Sequence, residues 1–416
     1  MRIALRVCLL SLIALWLATD AFAQATAELS RADKWREDLK TLATELPQRH
    51  KNLFFHLPRP QFEQEIAQLS AAVPKLTDAE IKLELWRLAA KIGDAHTRIQ
   101  YDSEQTFPFA LYQFSDGVFV AGATEEQRAL LGAQLLKLGD TSIEQAKALV
   151  RQVIPVENES WFKAQFPGYL TDPELLVLLK ILPSAEAGRF TFKGRDGQEF
   201  SVTLKPLAWQ ALPKFLRPFD GAPDKLPLQY RNSQANYWYE YLPETKTLYL
   251  SYNRCQEMPN KPFKDFAAEV WKAVEEQGAE RLVIDLRRNG GGNSIIFEPF
   301  TTALKQHPRL NQKGKAFVLI GRSTFSSAFL NALRLKRETN AMLIGEPPGQ
   351  KPNHYGEVRS LTLPHSKLLV RYSTKFFQIV AGDPPVLEPD QRVERSAQDF
   401  YFGRDPVLEW VLRYPR

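Results

Sequence analysis

The stretch from Phe317 to Asn331 reads F-V-L-I-G-R-S-T-F-S-S-A-F-L-N. Phe317 to Ile320 predict a buried strand ending at Gly321, and Ala328, Leu330, Ala332 and Leu333 predict the helix that follows. Between them lie four small hydroxyl residues, Ser323, Thr324, Ser326 and Ser327. A serine where a strand hands over to a helix has an exposed hydroxyl and backbone N–H groups beside it. Those are the conditions for an activated nucleophile and a bound oxyanion. The same position has a structural use, in which Ser323 or Thr324 caps the helix.

Two other stretches offer groups that could complete such chemistry. One strand–loop–helix unit upstream, Gly290, Gly291 and Gly292 let the backbone approach a ligand closely with its N–H groups exposed. No Lys-Ser/Thr follows them and the dinucleotide spacing is absent, so phosphate binding is disfavoured. An oxyanion hole built from Gly291 or Gly292 with the N–H of Ser327 fits better, against a turn made of glycines for sterics alone. Far earlier, Gly93-Asp94-Ala95-His96-Thr97 places His96 on a turn just past a helix end, free to point into a cleft. The alternative there is a polar turn in which Asp94 bonds local backbone. His354, in Asn353-His354-Tyr355-Gly356, is a candidate substrate contact, against a loop-structural role. His50 and His56 flank an aromatic patch with nothing nearby to complete a metal set, and no metal is expected.

The elements that must position these groups divide the chain. Residues 24–105 are read as helical, with stripes at Trp35, Leu39, Leu42, Leu46, then Phe62, Ile66, Leu69, then Ile81, Leu85, Leu88, Ile92. Pro47 should stop the first helix and Gly93 cap the third. Residues 106–207 show short strands and turns, with hairpins at Asp116-Gly117 and at Gly194–Gly197. Residues 208–416 begin with a proline-dense segment and continue as alternating strands and helices. That pattern implies a βα-type layer with its loops at the carboxyl ends of the strands.

The chain has 416 residues, 44% of them hydrophobic and 25% charged, as in a globular protein of two or three domains. Its net charge of +6 is dispersed among mixed-sign segments, which argues against a nucleic-acid partner. Residues 1–23, with Arg2 and Arg6, an apolar core and Ala21-Phe22-Ala23, read as a secretory signal peptide, or else a retained anchor. Cleavage would leave Cys255 alone, with no internal disulfide, and a secreted or periplasmic protein without stable membrane insertion.

Several motifs together resemble one family. I-D-L-R-R-N-G-G-G at Ile284–Gly292, T-F-S-S-A at Thr324–Ala328, I-G-E-P-P-G-Q-K at Ile344–Lys351, G-D-A-H-T at Gly93–Thr97 and Pro389-Asp390 are similar to the tail-specific (C-terminal-processing) serine peptidases. The resemblance implies an α/β fold with a crotonase/ClpP-like catalytic core, a helical N-terminal part and a PDZ-like α+β module. It implies hydrolysis of a polypeptide substrate without a cofactor. Ser326 matches the nucleophile, and Gly291 and Gly292 match the oxyanion glycines. The base has two candidates. One branch uses a lysine 25 residues after the serine, which is Lys351. The tricorn and retinoid-binding-protein-like branch uses the histidine at His96, assisted by an acidic residue seven before Asp390, which is Asp383. His96 is favoured, because an ordinary histidine already titrates near neutrality and a lysine must be shifted by several units. Phe329, where the lysine branch often has glutamate, points the same way. A non-catalytic homologue that binds peptides or small hydrophobic ligands in the same cleft is the alternative.

Overall fold

The computed structural model describes residues 29–101, 103–220 and 226–415, so the expected leader at 1–23 lies outside the described residues. Among them, no helix is long and apolar enough to cross a membrane.

The strands that carry the serine and glycine turns sit in the middle of a six-stranded sheet. Its order is Tyr237–Leu242, Thr247–Tyr252, Arg281–Asp285, Ala316–Ile320, Met342–Gly345, Gln391–Arg392. The first pair is antiparallel and every later pair is parallel. Every residue of Thr247–Tyr252, Arg281–Asp285 and Ala316–Ile320 is buried, because helices cover both faces, as continuous apolar runs require. Alternation decides which residue meets which cover. Leu282, Ile284, Val318 and Ile320 pack with Phe266, Val270, Phe300, Ala328 and Phe329, from the helices Phe263–Glu276, Glu298–Gln306 and Ser327–Glu338. Val283, Phe317, Leu319 and Ile344 pack with Val407, Leu408 and Val411, from the helix Pro406–Arg413. Since the strands run parallel, the loops after Asp285, Ile320 and Gly345 leave the same edge of the sheet.

Three capped or closed helices precede this sheet: Arg31–Arg49, Arg59–Ala72 and Asp78–Ile92. All eleven stripe residues are buried. Pro47 does not stop the first helix, which runs two residues further, with Pro47 inside its last turn. The third carries a Thr77–Glu80 capping box and ends on Gly93 at φ 77°, a left-handed position suited to glycine. The region 106–207 holds an antiparallel sheet in the order Phe109–Phe114, Gly117–Ala123, Gln134–Leu138, Gly188–Lys193, Glu199–Leu204, and both expected hairpins are present. One continuous apolar core runs from Trp35 through Leu204 and takes in Leu363, Leu368, Val370 and Tyr372.

Those last residues belong to an element the sequence did not announce. A long hairpin, His354–Thr362 with Leu369–Phe377, leaves the carboxyl edge of the large sheet and pairs with the short strand Arg98–Ile99. It ties the early histidine turn to the serine turn.

Candidate active site

The serine turn is pinned before the helix begins. Thr324 Oγ1 donates to the Leu286 carbonyl at 2.9 Å and accepts from the Gly321 N–H at 3.0 Å. The Phe325 N–H reaches the Asn289 carbonyl at 3.1 Å. The helix Ser327–Glu338 then has Ser326 itself as its N-cap, at φ 52° and ψ −126°. This backbone conformation is strained for a residue with a side chain, and such strain gathers at functional turns. The Ser326 hydroxyl makes no capping bond. The capping alternative for Ser323 and Thr324 is therefore corrected: neither residue is the N-cap, and the residue that is leaves its hydroxyl uncommitted.

The glycine loop lies directly against this turn. A Cβ on Gly291, at φ 112°, would stand 2.7 Å from Ser326 Cβ and 3.1 Å from the Ser327 nitrogen, so only glycine allows the approach. Gly292, at φ 134°, packs its Cα onto the Cys255 carbonyl, and its own carbonyl accepts from Ser327 Oγ at 2.6 Å. The Gly291 N–H is already given to Asn289 Oδ1 at 3.0 Å. Gly292 N–H has no acceptor among the described residues, and Ser327 N–H is one of the first-turn donors that a helix leaves open. Of the expected oxyanion donors, Gly292 and Ser327 are thus available, and Gly291 serves the close approach. Cys255 offers no rival nucleophile, since burial pushes its thiol up to about 11.

His96 is held by Asp94, which lies at the centre of a buried bonding set. Asp94 Oδ1 accepts from the His96 N–H at 2.9 Å. Its Oδ2 accepts from Thr97 Oγ1 at 2.5 Å and from Ser373 Oγ at 2.6 Å, and lies 3.1 Å from His50 Nε2. Burial alone would raise this carboxyl, but the bonds from His50, Ser373 and Thr97 outweigh it and the pKa falls below the ordinary value. His96 is 8% exposed, and its ring stacks on Phe325 with centroids 4.5 Å apart. Phe325 stacks in turn on Trp161 at 4.1 Å. Phe325 immediately precedes Ser326, so the histidine and the serine turn are neighbours. No hydrogen bond joins them, and neither His96 ring nitrogen has a well-formed partner. Burial lowers the His96 pKa, which keeps the ring neutral and able to accept a proton at pH 7.

Other expected residues are placed differently. Asp383 does not assist His96: it forms a 2.6 Å ion pair with Lys351 Nζ and is itself mostly exposed. The residue expected to help His96 is therefore held by the rival base, and the carboxylate facing His96 Nδ1 is Asp94, at 3.9 Å. His354 is not a substrate contact on this geometry. It is 3% exposed, and its Nδ1 lies 3.0 Å from the Lys351 carbonyl. Burial, with the charge of His96, pushes its pKa down to about 4.

Three participants were not singled out in the sequence. Gln350, fully buried, accepts the Ser326 N–H on Oε1 at 2.5 Å and leaves Nε2 unpartnered. It sits inside the Ile344–Lys351 motif, which was a usable signal. Arg322, beside Ser323, pairs with Glu346 at 2.7 Å and ties the loop after Ile320 to the one after Gly345. Glu157 gave no signal at all, being an isolated glutamate in a loop. Its two oxygens accept the Ala95 N–H at 3.3 Å and the Lys351 N–H at 3.2 Å. Glu157 keeps some exposed surface, yet its carboxyl group is enclosed. Burial, then the charge of Asp94, pushes its pKa up to about 8.

Ligand atoms of Asp94, His96 and Glu157 lie within 4.8 Å of one another. A metal is nonetheless poorly served there, because both Asp94 oxygens are already committed to donors.

The raised Glu157 carboxyl has a consequence for stability. A group whose folded pKa exceeds its unfolded value, ordinarily about 4.3, loses its contribution as pH rises from there through about 8. The difference in melting temperature between wild type and Glu157→Gln should therefore move in the variant's favour between about pH 5 and pH 9. Thermal unfolding at the two pH values measures it, and a constant difference would mean that Glu157 ionises normally.

Comparison with known proteins identifies the fold. No family model and no curated protein matches the chain. The structure is similar to that of mature CPAF complexed with lactacystin, at 12% identity and TM-score 0.59, over 91% of this chain and 97% of that one. Mature CPAF aligns at 12% identity and TM-score 0.58, over 91% and 96%. The photosystem II D1 C-terminal processing protease aligns over 92% of this chain and 97% of its own at 13% identity, with a TM-score of 0.43. The resemblance read from the motifs thus holds at the level of a shared mixed α/β fold with CPAF.

Proposed function

We propose that a chain with this fold and this serine turn is a serine peptidase of the tail-specific type. The observation that carries the reading is the strained, uncapped Ser326 at the head of a helix, packed against a glycine loop and beside a neutral, buried histidine. Ser326 Oγ attacks the carbonyl carbon of a polypeptide substrate as His96 takes its proton. The N–H groups of Gly292 and Ser327 receive the oxyanion. His96 then protonates the departing amine, and water, deprotonated by the same ring, releases the acyl group and restores Ser326. Asp94 orients the ring and favours the imidazolium. No metal or cofactor takes part.

The finer readings belong to the same proposal. They are a crotonase/ClpP-like core at 208–416, a PDZ-like module at 106–207, a helical N-terminal domain at 24–105, and a secreted or periplasmic site of action after loss of 1–23. The test is labelling by a serine-directed phosphonate together with hydrolysis of an unfolded polypeptide. Ser326→Ala should abolish both, and retained hydrolysis by that variant would end the assignment. The non-catalytic alternative has one observation in its favour, the missing hydrogen bond between Ser326 and His96. A wild-type chain that binds peptides but neither labels nor cleaves would establish it.

A further inference from the structure

Glu157 stands between the two turns that the reaction needs together. Its Oε1 accepts the Ala95 N–H at 3.3 Å, one residue before His96. Its Oε2 accepts the Lys351 N–H at 3.2 Å, one residue after Gln350, whose own Oε1 receives the Ser326 N–H. One carboxyl group thus links the histidine turn to the residue that holds the nucleophile's backbone. Because no hydrogen bond joins His96 to Ser326 directly, this bridge and the stack on Phe325 are the links that fix their spacing. The segment that follows strengthens the first of them. Asn158 Nδ2 donates to the Pro348 carbonyl at 3.1 Å. The Trp161 ring packs on Gly349, where a Cβ would stand 2.7 Å from Cε3, and it stacks on Phe325.

Few charged groups face the Glu157 carboxyl. Asp94 and His96 do so from the histidine turn, with ligand atoms of all three within 4.8 Å. Lys351 does so from the loop after Gly345, its ammonium engaged by Asp383. Burial, then the charge of Asp94, disfavours an ionised Glu157, and the two N–H donors and the Lys351 charge do not outweigh them. The enclosed position therefore suits the protonated carboxyl, whose lone pairs still accept from both N–H groups. Once ionised, the group faces Asp94 as a second anion and gains by moving into water. Glu157 keeps some exposed surface, so water is within reach.

We infer that Glu157 is a positioning residue for the reaction: by bridging Ala95 and Lys351 it holds His96 and Ser326 at working distance. The inference rests on the peptidase reading for the reaction served, and not for the bridge itself. The sign of its pH dependence follows from the raised pKa. The bridge is present at low pH and is lost as pH rises through about 8.

Two measurements on the full chain test it. In the first, kcat on a polypeptide substrate is followed into the alkaline range. The wild type should lose about ten-fold by one pH unit above the Glu157 value of about 8, while KM changes little. Glu157→Gln cannot ionise. With a single acceptor oxygen it keeps one of the two bonds, so its plateau is lower but its alkaline limb is absent. An identical alkaline limb in both chains overturns the inference. The second measurement needs no catalysis. It is hydrogen exchange at the Ala95 and Lys351 amides, corrected for the intrinsic effect of pH. In the wild type both should lose protection together between about pH 7 and pH 9, while the amides of the helix Asp78–Ile92 stay constant. Protection that stays flat in the wild type overturns the bridge, and that comparison needs no variant to fold. If Ser326 fails to label while the two amides loosen together, the peptidase reading falls and the bridge stands. If Ser326 labels while their protection stays flat, only this inference falls.

Discussion

Replacing His96 with alanine should lower kcat/KM on a polypeptide substrate by a factor of about a thousand or more, while Lys351→Ala stays within a few-fold of wild type. The asymmetry follows from what each group is already doing. Lys351 Nζ is already committed to an ion pair with Asp383 at 2.6 Å. His96 is enclosed and neutral, and neither ring nitrogen has a well-formed partner, so its lone pair costs little to recruit. The pH profile supplies a second readout. Burial lowers the His96 pKa, so the acid limb of kcat/KM should fall below the ordinary histidine value of about 6.5. An activity that rises only in the alkaline range, together with loss in Lys351→Ala, would transfer the role to the lysine. Asp383→Ala separates the cases further. It should leave a histidine-based enzyme nearly unaffected, because Asp383 has no contact with His96 to lose.

The second large effect concerns stability. Arg287 begins the loop that ends in the three glycines, and its guanidinium is buried between two carboxylates. It lies 2.5 Å from Asp285 and 2.7 Å from Asp405. Asp285 also accepts from the Tyr249 hydroxyl at 2.6 Å. Burial would raise the Asp405 carboxyl, but Arg287 beside it holds the pKa below the ordinary range. Arg287→Ala leaves two neighbouring carboxylates enclosed without their cation, and should cost about 3–5 kcal/mol in equilibrium urea unfolding. Adding Asp405→Asn to that variant should return part of the loss, since the penalty comes from uncompensated charge. An unchanged loss would mean that the arginine acts through packing. The depressed Asp405 also sets the pH dependence. Its contribution is present above the unfolded value near 4 and fades as pH falls through the folded value.

The sheet and its two covers were legible because each strand had to hide from water on both sides. Arg281–Asp285 and Ala316–Ile320 carry unbroken apolar runs for that reason, and their shared direction put both turns at one edge. The serine turn was legible in the same way, as a strand-to-helix junction, and Ser326 was picked out within it by the resemblance of T-F-S-S-A to the family's motif. What failed were particular pairings across long separations. Counting back from Asp390 led to Asp383, yet the fold turns that residue toward Lys351, and no spacing reveals which way a loop faces. Glu157 reaches the histidine turn from 62 residues downstream of Ala95, through backbone N–H donors that any sequence would offer. Pro47 was read as a stop, but a proline in a helix's last turn loses a single bond and leaves the next two residues helical.

The hairpin His354–Phe377 sets when the molecule becomes complete. His96 depends on Asp94, and Asp94 is held in part by Ser373, 279 residues later in the chain. A ribosome making this protein has finished both Ser326 and His96 well before Ser373 leaves its exit tunnel. During that interval the histidine turn lacks one of its anchors and the strand Arg98–Ile99 lacks its neighbour. Only when the hairpin has been made can the histidine turn be anchored on both sides.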